Sequence, residues 1–162
     1  MDIGFSEEQA LLRDTARKFL DAACTTKFVR ERMATAEAMT PEFWAQLAEQ
    51  GWLGINLAEE DGGAGLGLVD LVVLMEEMGR AVMPGPYLAT VLLGGAAIHT
   101  AGSAAQRREY LPAIAEGRLK ATLGAIEADP RWDASGITMA ARPMRGGFEL
   151  SGTKLFVPDA HL

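Results

Sequence analysis

The hydrophobic period of this chain changes once, near Lys120, and that change limits the architecture more than any single motif does. Up to about residue 118 the apolar residues recur at helical spacing, as in Leu11, Leu12, Ala16, Phe19 and Leu20, with Arg13, Asp14, Arg17, Lys18 and Asp21 filling the opposite face. From Lys120 onward the runs KATLGAIE, ITMAAR and FELSGTKLFV are short, alternating or rich in β-branched residues, as strands require. Helices followed by strands give a mainly α chain. A helical domain over residues 1–118 is expected to precede the beginning of an incomplete antiparallel β-domain over residues 119–162.

Start and stop signals divide the helical part. Ser6 and Ser103 are each followed three residues later by a glutamine, Gln9 and Gln106, at the reciprocal capping position. Thr40-Pro41-Glu42 combines a cap, a proline at the first helical position and an acid in the first turn. Phe43, Trp44, Leu47 and Ala48 are expected to face inward, with Gly51 as the left-handed stop. KFVRERM reads as a loop or a short helical turn. A third helix is expected from Leu68 to Met78, and a fourth from near Pro86 to Gly102. The fourth, YLATVLLGGAAIHTA, is small or apolar all round and is therefore expected to be buried on most sides. In the β part, PMRGG reads as a hairpin turn. The change of phase in FELSGTKLFV places a bulge near Gly152. Three strands leave sheet edges exposed, so the chain reads as the N-terminal part of a longer polypeptide or as a short chain completed by a partner.

Composition removes several functions. The net charge of −7, from 15 basic and 22 acidic residues, lacks the basic face that nucleic-acid phosphates demand. Cys24 is the single cysteine and reads as a small apolar helix residue, while His99 and His161 stand in no metal-ligand spacing. The start MDIGFSEEQALL has no basic segment, so no signal peptide is expected and the setting is read as cytoplasmic. The run Leu88–Ile98 is too short to span a membrane. DGGAGLGLVD fits neither the dinucleotide nor the phosphate-loop pattern and reads as a tight turn before the third helix. No G-x-S-x-G elbow is present. Glu76-Glu77 lies inside a helix, where adjacent residues point in different directions, and reads as a partly solvated face. Trp44 and Trp52 read as core.

Several segments resemble the acyl-CoA dehydrogenases in order and spacing: FSEEQ, GWLGINLAEEDGGAGLG, MEEMGRA, QRREYLPAIAEG, then G-I-T-x-x-A and LSGTKLFVPDA. The resemblance covers the whole chain. It implies an N-terminal helical domain, a middle β-domain and a C-terminal helix bundle, with FAD and an acyl-CoA thioester between the last two. The implied reaction is α,β-dehydrogenation to a 2,3-enoyl-CoA, in which a glutamate takes the α-proton and flavin takes the β-hydride. That glutamate belongs to the C-terminal region, so no catalytic base is assigned here, and Glu127 is not it. An electron-transfer acceptor and a homo- or hetero-oligomer are implied as partners.

The resemblance also carries site residues. The family's flavin-contacting strand end, which closes in Thr-Glu-Pro, falls on Leu123, Ala125, Ile126, Glu127 and Ala128, with Ile126 in place of the threonine. The following Gly-Ser-Asp falls on Arg131-Trp132-Asp133, so Trp132 replaces a substrate-holding serine. The family's Trp-Ile-Thr-Asn beside the flavin falls on Phe156-Val157-Pro158-Asp159, and Pro158 has no N–H to donate. Thr90, Leu93 and Gly94 fall on a helix that lines the acyl pocket in relatives. Bland roles compete with each assignment: β-core packing for Leu123, Ile126, Phe156 and Val157, a loop anchor for Trp132, a close helix crossing for Gly94 and Gly95. At the level of function the alternatives are a non-catalytic dehydrogenase-like subunit of a heteromer and a helical interaction module without chemistry.

Overall fold

The computed structural model describes residues 4–129, 131 and 133–162. Helix α1 (Glu7–Ala23) opens at Ser6, whose hydroxyl accepts from Gln9 N (3.2 Å) while the Gln9 side chain accepts from Ser6 N (3.1 Å). Helix α3 (Pro41–Glu49) opens at Thr40, which accepts from Phe43 N, and Gly51 follows it in the left-handed region at φ 71°. Between them KFVRERM differs from expectation. It forms a full helix, α2 (Thr26–Met33), because Thr25 caps it (Phe28 N to Thr25 Oγ1, 3.2 Å) and two apolar side chains suffice to dock it. Val29 is buried, and the Phe28 ring stacks on Phe43 with centroids 5.0 Å apart.

Helix α4 (Leu68–Arg80) is capped by Asp70, whose carboxylate accepts from Gly67 N at 2.8 Å, and it runs two residues beyond the expected end. The glycine-rich connection before it is tight. A side chain on Gly63 would collide with the carbonyl oxygens of Gly54 and Leu57. A π-helical stretch, Leu88–Gly95, continues into α5 (Ala96–Ala101), and α6 (Ala104–Ala115) follows with the Ser103–Gln106 reciprocal cap.

The core lies among α1, α3, α4 and the segment around Trp52. Phe19 meets the edge of Trp52 at 5.2 Å, and the buried Tyr87 hydroxyl donates to Trp52 O at 2.7 Å. Cys24, expected on a helix, is the residue that ends α1 and is buried in this core, donating weakly to Ala81 O at 3.7 Å. A second cluster, Leu57, Leu111 and Ala115, seats α6.

Glu76 and Glu77 point in different directions, as adjacent helix positions do, and the structure adds a buried ion-pair network at Glu77. Glu76 is exposed, but Glu77 is buried, 2% exposed. Its carboxylate receives Arg17 Nε (3.0 Å) and Nη2 (2.5 Å) from α1 and Arg80 Nε (2.7 Å) from its own helix. Arg80 Nη2 reaches back to Asp21 at 2.7 Å. The two guanidinium groups keep the buried charge answered.

The β part is smaller than the sequence implies. Strands β1 (Ala141–Met144) and β2 (Gly147–Leu150) pair antiparallel, Ala141 opposite Leu150, across a turn at Arg145-Gly146. KATLGAIE is extended but enters no ladder among the described residues, because its neighbour, residues 154–158, gives it one backbone bond, Leu155 N to Ile126 O at 2.8 Å. Met144, Phe148 and Leu150 are exposed on the hairpin.

The Glu77 network generates a pH dependence. Hydrogen bonding to Arg17 above all, then to Arg80, holds the Glu77 carboxyl down to about 2 against an ordinary value of 4.5. A depressed folded-state value means the stabilisation is complete above the ordinary value and is lost as pH falls toward about 2. Glu77→Gln is expected to lower stability at pH 7 by about 2 kcal/mol and to flatten the loss of stability below pH ~5. Urea melts of both proteins at several pH values measure this.

Candidate functional site

The extended segment after α6 is fixed at its start by the helical layer. Trp44 Nε1 donates to Gly117 O at 3.1 Å, and Ala121 N donates to the fully buried Thr90 hydroxyl at 3.3 Å. Gly94 sits directly against the segment. A Cβ there would lie 2.5 Å from Ala121 Cβ and 3.0 Å from Thr122 N. Thr90 and Gly94 thus dock the π-helical stretch onto residues 121–122.

Beyond this anchor lies an apolar cleft of about 540 Å³. Leu93 enters it from the π-helical stretch, Leu123, Ala125 and Ile126 from the extended segment, and Phe156 and Pro158 from the tail. Arg131, Asp133, Ala134 and Ile137 close the remaining side. Six residues singled out from sequence therefore share one cleft, while Thr90 and Gly94 stand behind its wall. Val157 is turned away and packs beside Gly124. Trp132 lies outside the described residues.

The alternation of the tail breaks at Phe156. In an unbroken strand Lys154 and Phe156 would share a face. Phe156 instead has φ 51°, a left-handed conformation uncommon for an aromatic residue. Its ring lines the cleft and is 85% exposed, whereas Lys154 reaches the opposite side of the segment. The Pro158 carbonyl accepts from Thr122 Oγ1 at 2.7 Å.

The three acids around this loop all have partners. Asp133 accepts from Ser135 N at 2.8 Å. Asp129 receives Arg131 Nε at 2.9 Å, and that guanidinium holds its carboxyl below the usual range. Glu127, 7% exposed, receives Lys154 Nζ (2.7 Å), Thr138 Oγ1 (2.6 Å), Thr138 N (2.8 Å) and Met139 N (3.0 Å). Lys154 first, then Thr138, hold Glu127 down to about 2. Glu127 borders a second, polar cleft of about 520 Å³ on the far side of the segment, with Arg142 and Glu149. Sequence reading missed this arrangement, and also Ile137 and Ala134 in the apolar cleft, because the partners lie on separate segments.

Among the described residues no group of three or more His, Cys, Asp or Glu is placed to hold a metal, and no helix is long and apolar enough to cross a membrane. The chemistry available is that of a mainly apolar slot whose two charged lining residues among the described residues, Arg131 and Asp133, are bonded to Asp129 and Ser135. Such a slot suits a flat conjugated ring or an acyl chain.

Residues 6–118 match the family model described as acyl-CoA dehydrogenase, N-terminal domain. The chain belongs to the acyl-CoA dehydrogenase family. It is 32% identical over 162 residues to mitochondrial isovaleryl-CoA dehydrogenase of Pongo abelii, covering 97% of this chain and 38% of that protein. It superposes with TM-score 0.84 and 35% identity on the Tcur3481-Tcur3483 steroid ACAD G363A variant, covering 95% of this chain and 42% of that one. The FAD complex of PigA shares the fold, with TM-score 0.82, 23% identity, and coverage of 97% and 42%. The chain thus spans about two fifths of the length of these relatives.

The Gly94 contact is directly testable. Gly94→Ala should lower stability by about 1–3 kcal/mol, since Ala121 and the backbone behind it must shift. Gly79→Ala, where nothing lies within 4 Å, should be neutral or stabilising by up to about 1 kcal/mol. Denaturant midpoints, with amide exchange at Ala121, compare the two.

Proposed function

We propose that this chain supplies the N-terminal portion of an FAD-dependent acyl-CoA dehydrogenase, an oxidoreductase that converts an acyl-CoA to its 2,3-enoyl-CoA. Residues 1–118 are its helical domain, and residues 119–162 begin its β-domain and furnish one wall of the flavin site. The observation that carries this reading is the gathering of Leu93, Leu123, Ala125, Ile126, Phe156 and Pro158 around one apolar cleft in a chain of this family.

The residues present fit a flavin ring by shape and polarity. Leu123, Ala125, Ile126 and Phe156 would cover one side of it and exclude water there, and Leu93 would border the acyl group. FAD, when bound, supplies the acceptor for the substrate's hydride. This chain's own part is binding and orientation, with no residue assigned as catalytic base. Thr90 and Gly94 serve the acyl side by fixing the helix that carries Leu93. Trp132 is retained as a substrate-side residue on the family correspondence alone. An electron-transfer acceptor would reoxidise the flavin, and the enzyme would work in the cytoplasm as an oligomer.

A second reading has its own observation. Ile126 has no hydroxyl and Pro158 no N–H, so two polar handles on the flavin are missing from the cleft. The chain would then be a dehydrogenase-like subunit of a heteromer, shaping a pocket completed by a second chain. The similarity to the Tcur3481-Tcur3483 steroid ACAD, whose name pairs two components, supports this alternative.

Both readings are separated by flavin content. The protein expressed from its intact reading frame should show flavin absorption, or regain it when titrated with FAD. Ile126→Asp should weaken FAD binding by roughly a hundredfold, because a carboxylate in an apolar slot loses its hydration. Flavin bound only when a second dehydrogenase-like chain co-purifies would select the heteromer. No flavin in either preparation would overturn the proposal. Residues 1–162 alone are expected to bind FAD weakly.

A further inference from the structure

Among the described residues, the three segments that wall the apolar cleft share few backbone bonds. Residues 123–127 and 154–158 are joined by the single bond from Leu155 N to Ile126 O. No sheet ladder holds either segment. Yet each segment, together with residues 137–139, meets the others at one carboxylate behind the wall. Glu127 receives the Lys154 ammonium at 2.7 Å, the Thr138 hydroxyl at 2.6 Å, and the backbone N–H groups of Thr138 (2.8 Å) and Met139 (3.0 Å). Lys154 Nζ also donates to Ala125 O at 3.3 Å, spanning the same two segments a second time. The segments so joined send Ile126, Ile137 and Phe156 into the cleft on the other side.

We propose that Glu127 and Lys154 form a positioning pair that takes the place of a sheet ladder, setting the separation of the cleft walls and hence the fit of the flavin ring. The inference rests on the flavin reading above. Neither residue touches the cofactor in this account, so neither is catalytic. The pair acts through Ile126, Ile137 and Phe156, whose spacing decides whether a planar ring seats against this wall. The chemistry requires a carboxylate. An amide at position 127 offers one accepting oxygen where the structure uses two, and it loses the charge that matches the ammonium.

The test uses the protein from its intact reading frame as wild type, Glu127→Gln, Lys154→Met and Lys154→Arg. FAD affinity is read from flavin fluorescence, and amide exchange is read over residues 123–127, 137–139 and 154–157. Glu127→Gln and Lys154→Met should each weaken FAD binding by roughly tenfold or more and raise exchange in all three segments together. Exchange in α1 and α4 should not change. Lys154→Arg should recover most of both. FAD binding as tight as wild type in Glu127→Gln would overturn the positioning role whatever the exchange shows. If the wild type takes up no FAD, the flavin reading fails by itself and exchange decides the pair. Joint loosening of the three segments supports it, and loosening confined to the mutated residue overturns it.

Discussion

Glu77 sits where a carboxylate is costly, between α1 and α4, and two guanidinium groups make it tolerable. Much of the molecule depends on that arrangement. Arg17 and Glu77 are sixty positions apart in sequence, so the bidentate pair sets how the first and fourth helices lie against each other. Their contact surface is continuous with the aromatic group of Phe19, Phe43 and Trp52. Trp52 in turn accepts the Tyr87 hydroxyl at the start of the π-helical stretch. Burial pushes that phenol well above its ordinary value, so it stays a donor across the accessible pH range.

The same chain of contacts carries the helical layer to the cleft. The π-helical stretch anchors the extended segment through Thr90 and through the absence of a side chain at Gly94. α3 anchors it through Trp44 and Gly117. From that fixed start, residues 123–126 present small and apolar groups to one side and Glu127 to the other. The chain thus passes between two environments at residues 126–127, with Ile126 lining the apolar cleft and Glu127 the polar one. Asp129 and Asp133 close local bonds, and Glu127 ties distant segments.

What could be read from the sequence followed the range of each interaction. The caps at Ser6, Thr40 and Ser103 are contacts over three residues, and each stands where the pattern places it. The hairpin turn at Arg145-Gly146 is likewise local. α2 is hard to read from sequence because eight residues with three apolar positions, Phe28, Val29 and Met33, carry little periodicity. Glu77 could not be told from Glu76, since only α1, packed beside it, makes the difference. The strand pattern of KATLGAIE was legible, but pattern reports a preference for extended backbone and not whether a neighbour supplies a ladder. The site residues came from family resemblance and not from any spacing rule. Leu93 and Phe156 lie far apart in sequence and meet through the fold. The Glu127–Lys154 pair left no periodic trace in the sequence, because its members belong to separate segments.

The central claim is that the cleft beside residues 123–126 is one wall of a flavin site. An experimentally determined structure of the protein with FAD bound tests it most directly. The account predicts the isoalloxazine ring in van der Waals contact with Leu123, Ile126 and Phe156, with Lys154 still paired to Glu127 behind the wall. A flavin bound elsewhere, with this cleft filled by protein side chains, would contradict it.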